Sequence, residues 1–214
     1  MMGLLFARSL GRLGTPGLLR GWDRSSWHFF FMGAAFLLLE VQNISKASVV
    51  LGSTWEVNAV IISSILALVL SANLIVALLP RLPAVPVYVL LCGTCLALYV
   101  VDLSRFAFLP YATKAVVVGL LTSLPMLFSG IVFIRSFAAT PRKDLALGAN
   151  LFGALVGGLL QPITFLIGVK ALLLIVAGFY VAALWTLPKV SAGAEIPGES
   201  LAETPAEVTP LETG

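Results

Sequence analysis

Apolar residues in this chain fall into long unbroken runs, not into the strict alternation of a half-buried strand or the one-sided stripe of a surface helix. Six runs, at 27–51, 57–79, 84–103, 111–133, 145–169 and 171–187, can each cross a bilayer, which takes roughly 20 apolar residues per helix. Continuous runs of this length satisfy their own backbone groups in lipid as helices, whereas a barrel would need short alternating segments. The separators carry turn chemistry: Gly52, Ser53 and Thr54; Pro80, Arg81, Leu82 and Pro83; Pro110; Thr140 and Pro141; and Gly168. The single separator Gly168 predicts a tight hairpin between the last two helices. The expectation is therefore an all-α fold, a polytopic membrane protein whose six-transmembrane-helix bundle occupies 27–189.

The flanks differ in charge. Segment 1–26 carries Arg8, Arg12, Arg20 and Arg24 among short apolar clusters and reads as a basic interfacial or cytoplasmic arm. A cleaved signal peptide is the alternative, but the apolar stretch 3–7 is shorter than the usual core of about 7–15 residues. Segment 190–214 contains Glu195, Glu199, Glu203, Glu207 and Glu212 and no basic residue, with Pro197, Pro205 and Pro210 interrupting any helix, so it reads as an acidic disordered tail. With both termini in the cytoplasm, nine basic residues (Arg8, Arg12, Arg20, Arg24, Arg81, Arg135, Arg142, Lys143, Lys189) lie inside and four (Lys46, Arg105, Lys114, Lys170) outside. That bias predicts a multipass protein of the cell inner (plasma) membrane. Trp27 and Trp185 would then mark the inner interface, and Trp55 and Tyr111 the outer one.

Composition agrees with the lipid bilayer as partner: 59% of residues are hydrophobic and 11% charged, against about 25% charged in soluble domains. The basic residues are dispersed, so nucleic-acid binding has no footprint. Cys92 and Cys95 lie inside one apolar run; their CxxC spacing lacks the soluble setting of a redox motif and reads as small-residue packing. His28 is the single histidine, too isolated for a haem or metal site, and no cofactor is predicted.

Polar residues inside the spans are the candidate chemistry. The first span carries Glu40, Gln42, Asn43 and Lys46, and Glu40 falls almost at its middle. A central charge costs about 2.5–3.5 kcal/mol on insertion, and each flanking Leu or Phe returns only about 0.3–0.6. This helix is therefore expected to face protein or water. Gly33, Phe36, Glu40, Asn43 and Ala47 share one face, with Lys46 about 120° round from Glu40 and able to reach the outer interface. Two roles for Glu40 stay open: a protonated group hydrogen-bonded between helices, or a substrate, cation or proton site. Asn58, Asn73, Asn150 and Gln161 complete the set of substrate- or ion-binding candidates. Thr122, Ser123 and Ser129 line or loosen the fourth span, where Pro125 predicts a bend that could open a small cavity. In the fifth span Ala149, Gly153, Gly157 and Gln161 recur every four residues, and with Gly158 they predict close helix packing.

Phe30-Phe-Met-Gly-Ala-Ala-Phe-Leu-Leu-Leu-Glu40, Leu51-Gly-Ser-Thr-Trp-Glu-Val-Asn-Ala-Val60, Leu124-Pro-Met-Leu-Phe-Ser-Gly-Ile131 and Leu147-Gly-Ala-Asn-Leu-Phe-Gly-Ala-Leu-Val-Gly-Gly158 occur in that order. This series resembles the membrane region of bacterial spermidine synthase-like multipass proteins, over nearly all of 27–187. The resemblance implies a six-helix half of a major-facilitator-like fold, which in that family joins a soluble aminopropyltransferase-like domain. The family commonly has a glutamate where Gln161 stands here. No Gly-rich nucleotide loop or acidic active-site cluster for aminopropyl transfer is present in this chain.

Three functional readings follow. The first is a transporter-like half that pairs with a copy of itself or with a partner subunit, its site lined by Glu40, Asn43 and Asn150. The second is a membrane anchor or scaffold for a separate aminopropyltransferase-like or other cytoplasmic enzyme. An intramembrane enzyme comes last, since paired acids, a Ser–His arrangement and histidine ligands are lacking.

Overall fold

A computed structural model describes residues 21–52 and 55–188; the basic arm before residue 21, Lys189 and the acidic tail lie outside the described residues. The described residues fold into helices without strands. We label the six long ones α1 (Arg24–Leu51), α2 (Trp55–Leu78), α3 (Ala84–Val100), α4 (Tyr111–Ala138), α5 (Lys143–Leu160) and α6 (Val169–Trp185). Four segments are long and apolar enough to cross a membrane: α1, α2, α4, and α5 with its continuation to Ile167. The other two, α3 and α6, are apolar but shorter, at 17 residues each.

Several boundaries move for identifiable reasons. α1 begins at Arg24 because Asp23 caps it, its carboxylate accepting from the Ser26 amide at 2.8 Å and the Ser26 hydroxyl at 3.0 Å. α3 stops at Val100, three residues before the expected end, and Asp102 starts a 3-10 turn over Leu103–Phe106 by accepting from the Ser104 amide. α4 runs five residues past Phe133 to Ala138 and accommodates Pro125 within it. The fifth span is not one continuous helix: α5 ends at Leu160, a 3-10 turn covers Gln161–Ile163, and one α-turn covers Thr164–Ile167. Pro162 brings no amide hydrogen, and its ring crowds the preceding turn, so the helix tightens there. Gly168, at φ +85°, then reverses the chain in one residue. The connection is as short as its sequence predicts, but α5 and α6 pack on different flanks of α1, not on each other.

α1 is the hub, packed most extensively against α5, next against α6, and also against α4. Glycine sets the α1–α5 distance. A Cβ on Gly33 would strike the Asn150 carbonyl, one on Gly153 the Phe30 carbonyl, and one on Gly157 would come within 2.5 Å of the Ala34 carbonyl oxygen. Contacts that advance together along both helices make the pair parallel, and close backbone approach replaces the missing hydrophobic drive between helices in lipid. α2 and α4 form a second parallel pair, with Gly119 against Val60 and Ser64, and Gly130 against Ala72. The N-terminal end of α1 meets the C-terminal ends of α4 and α6, and its C-terminal end meets that of α3. Successive helices therefore alternate in direction.

The exterior is apolar. Ile62, Leu66, Leu70, Leu74 and Leu78 recur every four residues as a stripe along α2, each 44–71% exposed, and Leu147, Leu151, Leu155 and Leu159 repeat the spacing on α5. Water would not tolerate such stripes on a stable monomer; lipid does.

Candidate functional site

Five polar side chains of α1, Ser26, His28, Gln42, Asn43 and Lys46, are buried, and exposed Arg24 reaches a neighbouring helix. Arg24 donates to the Trp185 carbonyl at the end of α6. His28, fully buried, lies 2.7 Å from the Ala183 carbonyl through Nδ1 and 2.9 Å from the Ser136 hydroxyl through Nε2. A carbonyl only accepts, so Nδ1 carries the proton and Nε2 accepts from Ser136 in the neutral ring. One histidine thus clasps α1, α4 and α6. Deeper in the same core, the buried Tyr180 hydroxyl pairs with Ser129 at 2.8 Å, joining α6 to α4.

Further along, the pattern changes. Gln42 and Asn43 are fully buried, and among the described residues none of their four side-chain polar atoms has a hydrogen-bond partner. Lys46, 6% exposed, donates to the Leu98 carbonyl at the end of α3, where the helix dipole favours a cation. Lys46 is eighteen residues, about five turns, beyond His28 and lies directly above it; Gln42 and Asn43 fall on either side of that line. The core face of α1 therefore reads His28, Leu39, Gln42, Asn43 and Lys46.

Register places these amides among the other helices. Gln42 lies fourteen residues, about 21 Å, above His28. The same step back along α4 from Ser136 reaches Thr122, and back along α6 from Ala183 it reaches Val169, where α6 begins. Thr122 is buried and its hydroxyl is occupied by its own helix, bonding the Val118 carbonyl at 2.8 Å. The start of α6 has Gly168 as its cap and no side-chain cap bond. Lys170 and Asp102 are the charged groups close enough to act on Lys46. Hydrogen bonding by the Ser104 amide and hydroxyl holds the Asp102 carboxyl below its ordinary value, aided by Lys170 and Arg105.

The remaining sequence candidates lie elsewhere. Glu40 is half-buried on the flank of α1, about 120° from Lys46, near the level where α5 breaks. Asn150 sits at the α1–α5 seam against Gly33, some 13 Å nearer the start of α1 than Gln42. Asn58 and Asn73 are exposed on α2, Asn73 bonding its own helix, and Gln161 is exposed at the α5 break. Gly153 and Gly157 are buried in the seam, with Gly158 beside Leu37. Sequence reasoning gave no role to His28, and its spacing of five turns from Lys46 was the available signal. Among the described residues no three His, Cys, Asp or Glu side chains come together as a metal would need, and both cysteines are free.

An all-helical bundle with leucine outside and amides inside has the make-up of a helical membrane protein. The chain matches no family model, no curated protein and no solved structure.

Proposed function

We propose that the chain is a transporter-like half which crosses the inner (plasma) membrane six times with both termini in the cytoplasm. It acts as a homo-oligomer or with a partner subunit. The alternating helix directions support six crossings, and 17 residues at 1.5 Å each give α3 and α6 about 26 Å, enough for a slightly thinned bilayer. The observation that carries the functional part is the Gln42–Asn43 pair. Two uncharged hydrogen-bonding side chains buried without partners are costly for an anchor and useful to a protein that binds something in the membrane. Glu40, half-buried at mid-span, and exposed Gln161 support a second polypeptide covering that flank. The resemblance to spermidine synthase-like membrane regions is in keeping with a half that works beside another component.

Topology and assembly are testable together. In a variant with Cys92 and Cys95 replaced by alanine, Phe108→Cys is labelled in intact cells and Arg81→Cys only after permeabilisation. Labelling of both from the same side removes the six-crossing reading. Native mass spectrometry from nanodiscs should give a dimer or a complex with another membrane subunit. A lone bundle contradicts the half-transporter, and a co-purifying soluble enzyme favours the scaffold.

A further inference from the structure

We infer that the core face of α1 and the start of α6 form a binding site for a small monovalent anion, of the size and type of formate. The site stands whether or not the bundle moves cargo. Its donors come from two helices. α1 supplies the Gln42 and Asn43 amide groups, both fully buried and unpartnered, and the Lys46 ammonium, which has three N–H groups. α6, seventeen residues long, begins at their level without a side-chain cap, so its first amide hydrogens and the positive end of its dipole are available there. His28 shows that this face of α1 looks at α6, and the amides lie within about 60° of the same line.

Charge points the same way. Lys170 acts unfavourably on the Lys46 ammonium, and the Asp102 carboxylate acts on it in the opposite sense. Asp102 is itself engaged by Ser104 and by the charges of Lys170 and Arg105. An anion between the amides and Lys46 would meet an ammonium, two amide donors and a helix N-terminus. A polyamine there would meet the two amide oxygens but also two ammonium groups. Glu40 lies one turn before Asn43 and about 60° round from it, on the side away from Gln42, and Thr122, the group at this level on α4, is uncharged.

The test uses the purified full chain in detergent, with thermal unfolding followed in sodium formate and in sodium gluconate at equal ionic strength. Gluconate is too bulky for a site between packed helices. Formate at tenfold its dissociation constant should raise the midpoint by about 3 °C, with saturation. Lys46→Arg should keep the response, and Asn43→Asp, which places a carboxylate among the donors, should lose it. If Asn43→Asp does not fold, the Gln42→Leu/Asn43→Leu double variant replaces it and should likewise give identical midpoints in the two salts. Equal midpoints for the wild-type chain, or an undiminished formate shift in the variant that lacks the amides, overturn the site.

Discussion

The two ends of α1's core face carry similar polar groups in opposite conditions. Near its start, Arg24, Ser26 and His28 all find partners within the chain, on α6, on the Asp23 cap and on α4. Four turns later, Gln42 and Asn43 find none among the described residues, and Lys46 holds a single carbonyl. Ser26 and His28 are as deeply buried as Gln42 and Asn43, so burial does not explain the difference. The matched end behaves as a clasp that fixes the rotation of α1. The unmatched end is where the proposed anion would complete the hydrogen bonding of the donors, because leaving a buried amide unsatisfied costs about 1–3 kcal/mol per group.

Breaking the frame that both ends share should have the largest effect. Gly33→Leu would drive a side chain into the Asn150 backbone, which cannot move aside as a flexible side chain would. The expected result is loss of the monodisperse peak in fluorescence size-exclusion, since overpacking at a backbone contact exceeds the usual 1–3 kcal/mol. His28→Leu should come next. It strips partners from the Ala183 carbonyl and Ser136, and should cost about 1–3 kcal/mol, read as a fall in the detergent unfolding midpoint of about 3–10 °C. Gln42→Leu/Asn43→Leu sharpens the contrast: in gluconate buffer its midpoint should match or exceed that of the wild type, within about 0.5 kcal/mol, because apolar replacements relieve unpartnered groups. A large loss there would mean that the amides have partners inside the chain.

The smallest effect is a pH dependence at the matched end. Burial pulls the Asp23 carboxyl upward, but the Ser26 amide and hydroxyl and the Arg142 charge outweigh it and leave the group below 3.8. A depressed folded value contributes stability above pH 3.8 that is lost as pH falls through the lowered value. Asp23→Asn keeps a capping side chain and should flatten the midpoint between pH 5 and pH 3 relative to the wild type.

Helical organisation was legible because length and punctuation carry it: apolar runs of spanning length, interrupted by Pro80, Pro83, Pro110, Pro141 and Gly168, need no tertiary information. The break at Pro162 was less visible, since a proline near the end of a run can either kink a helix or stop it. The site was harder to read. Glu40 draws the eye because a charge is the dearest group to place at mid-span, yet which side chains of α1 face the core depends on how the helix is rotated. Rotation is set by Gly33 against α5 and by His28 against α4 and α6, contacts between segments more than a hundred residues apart. With that rotation fixed, Gln42, Asn43 and Lys46 turn inward and Glu40 moves to the flank.

The chain has only two glutamines, Gln42 and Gln161, and four asparagines, Asn43, Asn58, Asn73 and Asn150, so side-chain amide signals can be assigned one substitution at a time. Nitrogen-15 spectra of the selectively labelled protein in nanodiscs, with sodium gluconate exchanged for sodium formate, observe the unpartnered groups themselves. The Gln42 and Asn43 amide signals should move in a saturable way while those of Gln161, Asn58 and Asn73 stay in place. Unchanged Gln42 and Asn43 signals, or equal movement of all six, would contradict an unfilled polar site on the core face of α1.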